Sequence, residues 1–232
     1  MSGIVAVIPL RDGRHGKTRL APEFDGSRRA SLIAAMARHV TDVALSAPSI
    51  AQVVIVTRDT DFVERVMHGR EVGILAQPDD AIGLNGALAV GRAWAMGACD
   101  VSGILILHAD LPLLAVDDVE EMLDQPADLV IAADRHHVGT NAMVMCWNPT
   151  DERSVRQAES FNLHFGAGSF RAHLAEAHRA GYTPSIVLQP GTELDLDTLG
   201  DWNALPAHIR RALDPDAPEP YALVRREPAL TP

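Results

Sequence analysis

Gly103-Ile104-Leu105-Ile106-Leu107-His108-Ala109-Asp110-Leu111-Pro112 sets the frame for the chain. The run Gly103–His108 is dominated by Ile and Leu without polar alternation, so it reads as a strand with apolar neighbours on both faces. Such a strand belongs in a parallel sheet covered by helices. Pro112 then stops the ladder, and Asp110 falls just past the strand's carboxyl end. Four other runs repeat the pattern: Ile4–Pro9, Gln52–Thr57, Val72–Ala76 and Asp128–Ala133. Helical patterns lie between them. Ser27–Ser46 carries Leu32, Ile33, Met36, Val40, Val43 and Ala44 at three- and four-residue steps, and Asp59–His68, Gly83–Met96 and Val116–Asp124 continue the alternation. This rhythm implies right-handed crossovers and a single Rossmann-like, doubly wound, mostly parallel α/β sheet.

Farther along, Ala142–Cys146 and Ser185–Leu188 read as strands with a helix at Ser169–Ala180 between them. No repeat or long interior linker divides the chain, so one domain is expected over residues 1–205. From Pro206 onward the chain holds six of its fifteen prolines. A short helix around Ala207–Leu213 and a Pro-rich tail to residue 232 are expected there.

The chain has 232 residues and a net charge of −11. That length is ample for a real core. An acidic balance argues against duplex nucleic-acid binding, which needs clustered Lys and Arg, but not against binding a single nucleotide. Cys99 and Cys146 lie far apart with no CxxC spacing, so they read as reduced, buried thiols rather than zinc ligands. The N-terminus lacks a basic start and a long apolar run, and nothing later reaches membrane-spanning length. A cytoplasmic protein without membrane or nucleic-acid partners is expected.

In doubly wound sheets the ligand sits beyond the carboxyl ends of the strands. After the first strand comes Pro9-Leu10-Arg11-Asp12-Gly13-Arg14-His15-Gly16-Lys17-Thr18-Arg19, a glycine-bearing loop with cations at Arg11, Arg14, His15, Lys17 and Arg19. Cations clustered there suggest a polyphosphate; a solvated loop is the alternative. It is neither a Walker loop, whose first glycine would replace Arg11, nor a dinucleotide fingerprint. Asp110 either caps the next segment or holds a hard cation. Asp195 and Asp197 are two residues apart, which in an extended segment puts both on one face. Like charges so placed repel unless a cation lies between them, and Mg2+ prefers such oxygen ligands. Asp110, Asp195 and Asp197 are therefore the expected metal ligands, with Asp197 as a plain cap of a helix Thr198–Leu205 the alternative for one of the pair.

Phe165-Gly166-Ala167-Gly168-Ser169-Phe170 leads into a helix whose first N–H groups suit a phosphate or carboxylate, unless Ser169 is a simple N-cap. Thr140 offers a hydroxyl to the same anion. Asn85, in Gly83-Leu84-Asn85-Gly86, either reads a ribose or base or caps. With no HExxH and no GxSxG, neither a zinc-protease nor a serine-nucleophile site is expected from the ten histidines.

Taken in chain order, Lys17-Thr18-Arg19-Leu20-Ala21, Gly83-Leu84-Asn85, His108-Ala109-Asp110-Leu111-Pro112, Gly139-Thr140-Asn141, Phe165–Phe170 and Glu193-Leu194-Asp195-Leu196-Asp197-Thr198 resemble one family. It is the guanylyltransferase family of coenzyme F-420 biosynthesis, whose members act on 2-phospho-L-lactate, phosphoenolpyruvate or 3-phospho-D-glycerate. The resemblance covers about residues 4–205. The Ala-Asp-Leu-Pro element is shared with wider nucleotidyltransferases, including molybdenum-cofactor guanylyltransferases; the Phe165–Phe170 and Glu193–Thr198 elements are more specific. The resemblance implies a nucleotidyltransferase sheet of the glycosyltransferase-A-like type that joins GTP to a phosphorylated three-carbon acid with release of pyrophosphate. It implies Lys17, Arg19 and Asp110 as catalytic groups and Mg2+ on Asp110, Asp195 and Asp197. Nucleotide contacts would come from Leu10, Arg11, Lys17, Gly83 and Asn85, and acid contacts from Thr140, Gly166, Ser169 and His137. His137 either donates to a substrate hydroxyl or faces solvent. Phosphoenolpyruvate is the first choice of acid and 3-phospho-D-glycerate the second. Competing readings are a nucleotidyltransferase for another acceptor, such as molybdopterin or a sugar phosphate, and a non-catalytic GTP-binding domain. A homodimer, and docking of the transferase that consumes the labile product, are partner arrangements left open.

Overall fold

Strands and helices alternate along the chain as crossover units require. The computed structural model describes residues 3–11, 17–98 and 100–214. Within them run β1 (Gly3–Pro9), α1 (Gly26–Ser46), β2 (Ile50–Thr57), α2 (Thr60–Val66), β3 (Gly73–Ala76), α3 (Gly83–Met96) and β4 (Val101–Leu107). There follow α4 (Val116–Leu123), β5 (Leu129–Ala133), β6 (Thr140–Cys146), α5 (Glu152–Ser160), α6 (Ser169–Ala180) and β7 (Ser185–Val187). Three short helices, α7 (Pro190–Glu193), α8 (Leu199–Ala204) and α9 (Ala207–Leu213), complete the described chain. Cys99, Arg14, His15 and the Pro-rich tail after Asp214 lie outside the described residues.

The strands form one seven-stranded sheet in the order β3-β2-β1-β4-β6-β5-β7. Alternate residues feed two cores. Ala6, Ile8, Leu105 and Leu107 pack with α1 residues such as Met36 and Val40. Val5, Val7, Ile104 and Ile106 pack on the other face with Leu88 and Ala95 of α3 and Ala177 of α6. Burial on both faces explains why the strand runs lack polar alternation. Strand order reverses at β1, which lies between β2 and β4 and is parallel to both. The crevice beyond the β1 and β4 ends is thus the switch point of the sheet.

β6 runs antiparallel to both of its neighbours, with Ala142 opposite Leu107 of β4 and Ala132 of β5. The β5–β6 hairpin reverses at residues 134–139, so β6 brings its first residues, rather than its last, to the edge where β1 and β4 end. Thr140 and Asn141 therefore share an edge with the groups that follow β1 and β4. The hairpin turn is held by Asp134, which accepts the N–H groups of His136, Val138 and Gly139 at 3.0, 2.8 and 2.8 Å.

Two helices have no counterpart in the sequence reading. In α5 only Ala158 is buried, so the segment offers little apolar period. The single turn α7 begins at Pro190. α2 ends at Val66, two residues before the expected limit, and Asp59 is its cap. The last described helix, α9, is tied to α1 by the Arg28–Asp214 ion pair at 2.6 Å. Among the described residues no helix is long and apolar enough to cross a membrane.

Candidate active site

Lys17 follows the loop after β1 and takes a left-handed backbone conformation, φ 54°. Among the described residues only Lys17 and His137 do so without being glycine, and both stand in the expected site. A side chain there costs energy that the surroundings must supply. For Lys17 the surroundings are two carboxylates: its ammonium donates to Asp110 Oδ2 and, at 2.6 Å, to Asp197 Oδ1. Burial works against the charge on Lys17, yet Asp110 and Asp197 outweigh it and hold the ammonium above its ordinary range. Asp110 is pulled the opposite way to its burial, below the usual carboxylate range, chiefly by Lys17.

The placement of the other carboxylates follows from backbone pairing. The Leu196 N–H donates to the Asp110 carbonyl at 3.0 Å, laying residues 195–197 beside the end of β4. Leu196 is fully buried. Burying it stabilises the segment by about 1.5–3 kcal/mol and leaves Asp195 and Asp197 on the opposite face. Asp197 is not a cap: Thr198 caps α8, and the Asp197 carboxylate goes to Lys17. Asp110 likewise caps nothing and meets Lys17. Burial, then the Asp110 and Asp197 charges, push the Asp195 carboxyl up to about 6.

Among the described residues no three His, Cys, Asp or Glu side chains stand in metal-holding geometry, and Lys17 holds two of the three expected carboxylates. The donor set still suits a hard cation. Asp110 Oδ1 is shut from solvent without a hydrogen-bond partner. Asp195 stands near two carboxylates that share one ammonium; its own carboxyl is raised by burial first and then by their charges.

A cavity of about 400 Å3 opens at this point, with Leu10, Ile33, Met36 and Leu84 as apolar lining and Arg11, Lys17, Asp110 and Asp197 as polar lining. Apolar walls with a few converging polar groups suit a flat base carrying a charged chain. Gly83 lines an adjoining cavity, which shares Arg11 and Gln77 with the first. Arg19 lies on the exposed side of a single 3-10 turn, Thr18–Leu20. Asn85 does not cap α3. Its carboxamide donates to the Phe165 carbonyl at 3.0 Å and accepts the Phe165 N–H at 2.8 Å. It thereby clamps the start of α3 to the turn before α6.

That turn bends through Gly166 (φ 123°) and Gly168 (φ 73°), conformations that side chains rarely adopt. Gly168 rather than Ser169 is the cap residue of α6. Ser169 Oγ instead accepts the Thr140 N–H at 2.8 Å, and both residues are 1% exposed. Thr140, Gly166 and Ser169 are thus brought together at the same edge as Lys17 and Asp110. His137 is exposed, its ring 6.3 Å from that of Phe170.

Three supporting residues were not expected from sequence. Asp201 accepts the N–H groups of Asp197 and Thr198 at 3.1 and 2.7 Å and pairs with Arg135 of the hairpin turn. The Thr198-x-x-Asp201 spacing is a capping-box signal that points to it. Asn141 donates to the Thr192 carbonyl at 2.9 Å and so steadies the segment before Asp195. His173 bonds Thr140 Oγ1 at 2.9 Å, a contact that no local spacing announces.

Comparisons with known proteins agree with this architecture. A family model described as guanylyl transferase CofC like matches residues 4–209. The chain is 29% identical to a phosphoenolpyruvate guanylyltransferase of Sphaerobacter thermophilus, over 88% of this chain and 93% of that one. It is 31% identical to a 3-phospho-D-glycerate guanylyltransferase of Phenylobacterium zucineum, over 83% and 84%. A 2-phospho-L-lactate guanylyltransferase of Methanothermobacter thermautotrophicus is 29% identical over 88% and 84%. In fold, the chain is similar to a nucleotidyl transferase of the same genus, with a TM-score of 0.60 and 15% identity over 90% of this chain and 98% of that one. With its sheet of the glycosyltransferase-A-like type and a match over nearly its whole described length, the chain belongs to the CofC-like guanylyl transferase family.

Proposed function

We propose that this guanylyltransferase joins GTP to a phosphorylated three-carbon acid in coenzyme F-420 biosynthesis, with phosphoenolpyruvate the first choice, 3-phospho-D-glycerate the second and 2-phospho-L-lactate the third. The observation that carries the reading is Lys17, bonded to Asp110 and to Asp197 at the switch point of the sheet, beside the Thr140–Ser169 pair. Three relatives named for three different acids lie at 29–31% identity, so the order among acids rests on other grounds. The Ala- and Arg-rich composition resembles that of bacterial chains. The exposed His137 gives a hydroxyl-bearing acid no buried partner at that position. GTP as co-substrate fits a cytoplasmic setting.

Lys17 and Arg19 hold the triphosphate, with Leu10, Arg11 and Gly83 around the nucleoside. Thr140 and Ser169, with the backbone at Gly166, hold the acid. A phosphate oxygen of the acid attacks the α-phosphorus of GTP in line. The new P–O–P bond forms as the bond to the β-phosphate oxygen breaks, and pyrophosphate leaves on the opposite side. No protein nucleophile is required; the residues bring two anions together and offset their charge. Mg2+ held by Asp110, Asp195 and Asp197 would neutralise phosphoryl oxygens and orient both partners when bound.

The test is pyrophosphate release by purified protein with GTP and Mg2+, offering each of the three acids separately. Release with phosphoenolpyruvate, and none when ATP replaces GTP, is the expected result. Release with another of the acids alone would reassign the substrate. Silence with all three, in protein that still binds GTP, would point to a nucleotidyltransferase for a different acceptor.

A further inference from the structure

We infer that His173 is a positioning residue, which fixes the Thr140 hydroxyl as a hydrogen-bond donor aimed at the bound acid. The inference deepens the acid-site reading above and rests on it.

His173 lies in α6 with no solvent exposure. The Phe161 ring stacks on it at 6.3 Å and the Phe165 ring meets it edge-on at 4.7 Å. Both of its ring nitrogens are committed. The His164 N–H donates to Nε2 at 2.9 Å, and Nδ1 stands 2.9 Å from Thr140 Oγ1. A backbone N–H can only donate, so Nε2 carries no proton. The neutral ring must then carry its proton on Nδ1 and donate it to Thr140 Oγ1. Because the hydroxyl oxygen accepts from the ring, its own proton is left to be donated elsewhere.

Ser169 is in the same state by a different route. Its Oγ accepts the Thr140 N–H, so its hydroxyl proton is also free for another acceptor. Two O–H groups whose acceptor side is already filled thus stand together at the first turn of α6. Such a pair suits an acceptor-only ligand, which a phosphate or carboxylate is. The charged and titratable groups around the ring are His164, His108 and Glu176. Burial first, then the two histidines, push the ring down to about 4 against the opposing pull of Glu176, so it stays neutral through the physiological range.

The test combines steady-state kinetics with the protonation pattern of the ring. In His173→Phe, a ring of similar size without nitrogens, the KM for the acid is expected to rise about 10- to 100-fold while the KM for GTP changes less than about twofold. His173→Asn keeps an N–H near the Nδ1 position and should recover most of that loss. In a Thr140→Val background, where no hydroxyl remains to be aimed, His173→Phe should add less than about threefold. Nitrogen NMR of the wild-type protein should show His173 with its proton on Nδ1 down to about pH 5. A full penalty in the Thr140→Val background, or equal rises in both KM values, would reduce His173 to a packing residue. A proton on Nε2, or a charged ring at about pH 6, would overturn the inference even if the variants failed to fold. Wild-type protein that binds GTP but is silent with every acid would overturn the proposed function instead, with the ring pattern still deciding whether the Thr140 hydroxyl is held as a donor.

Discussion

Lys17, Asp110 and Asp197 form an ionic cluster, whereas Thr140, Ser169 and His173 form a neutral one, although both stand at the same edge of the sheet. The ionic cluster stays in reach of solvent, with the Asp197 side chain 47% exposed. The neutral cluster is shut away, at 0–1% exposure. Under the proposed function these charges exchange partners as polyphosphates arrive and leave, so they need to be reachable, and buried they would carry a heavy desolvation penalty. Hydroxyls whose acceptor side is filled, Thr140 by His173 and Ser169 by the Thr140 N–H, are held in a constant direction by burial. Asn85 ties the two, reaching from the start of α3 to the Phe165 backbone.

The largest expected effect falls on the ionic side. Asp110→Ala should lower pyrophosphate release by about 10²- to 10³-fold, with a thermal midpoint within about 5 °C of the wild type. Near-normal turnover in that variant would remove Asp110 from the reacting groups. On the neutral side, Thr140→Val should raise the KM for the acid about tenfold or more and leave that for GTP nearly unchanged; a parallel rise in both would erase the division of labour. Asn85→Ala is expected to raise both KM values by about three- to fivefold, because it loosens the junction and neither cluster. A change confined to one substrate would assign Asn85 to that half alone.

The smallest effect concerns stability rather than turnover. Glu176 accepts the Asn162 N–H at 2.6 Å and Arg179 Nε at 2.7 Å. The Arg179 hydrogen bonds first, with the Asn162 N–H, hold its carboxyl down at about 2, from an ordinary 4.5. A carboxylate whose pKa is depressed on folding contributes stability that is present above its unfolded pKa. That contribution fades as pH falls from about 4.5 toward about 2. Urea midpoints of the wild type should thus fall more steeply over that window than those of Glu176→Gln, and equal slopes would show that Glu176 gains nothing from its partners.

Much of the ionic half was legible in the sequence because its signals are local. Asp110 follows an apolar run, Lys17 ends a cation-bearing loop, and Asp195 and Asp197 share a period of two. The neutral half was only partly legible. Thr140 and Ser169 stood out by their glycine neighbours, but His173 is one polar residue on a helix and meets Thr140 only when α6 packs beside the start of β6. Apolar runs also carry no direction, so the reversal of β6 could not be read from Ala142–Cys146. Asn85 resembled a cap because its partner within the protein, Phe165, lies 80 residues away. The polar helix α5 left too faint a period to register.

The reversal of β6 gives the two halves unequal freedom to be redesigned. A parallel crossover cannot be re-cut without disturbing a whole helix, whereas the β5–β6 turn is six residues braced from within by Asp134 and from outside chiefly through Arg135. Under the proposed function, grafting a different turn between Ala133 and Thr140 would alter what faces the acid, and would spare the Asp197 segment as long as Arg135 keeps its bridge to Asp201. Under the proposed function this turn is, in engineering terms, an exchangeable cartridge, with Arg135 the pin that seats it in the chassis.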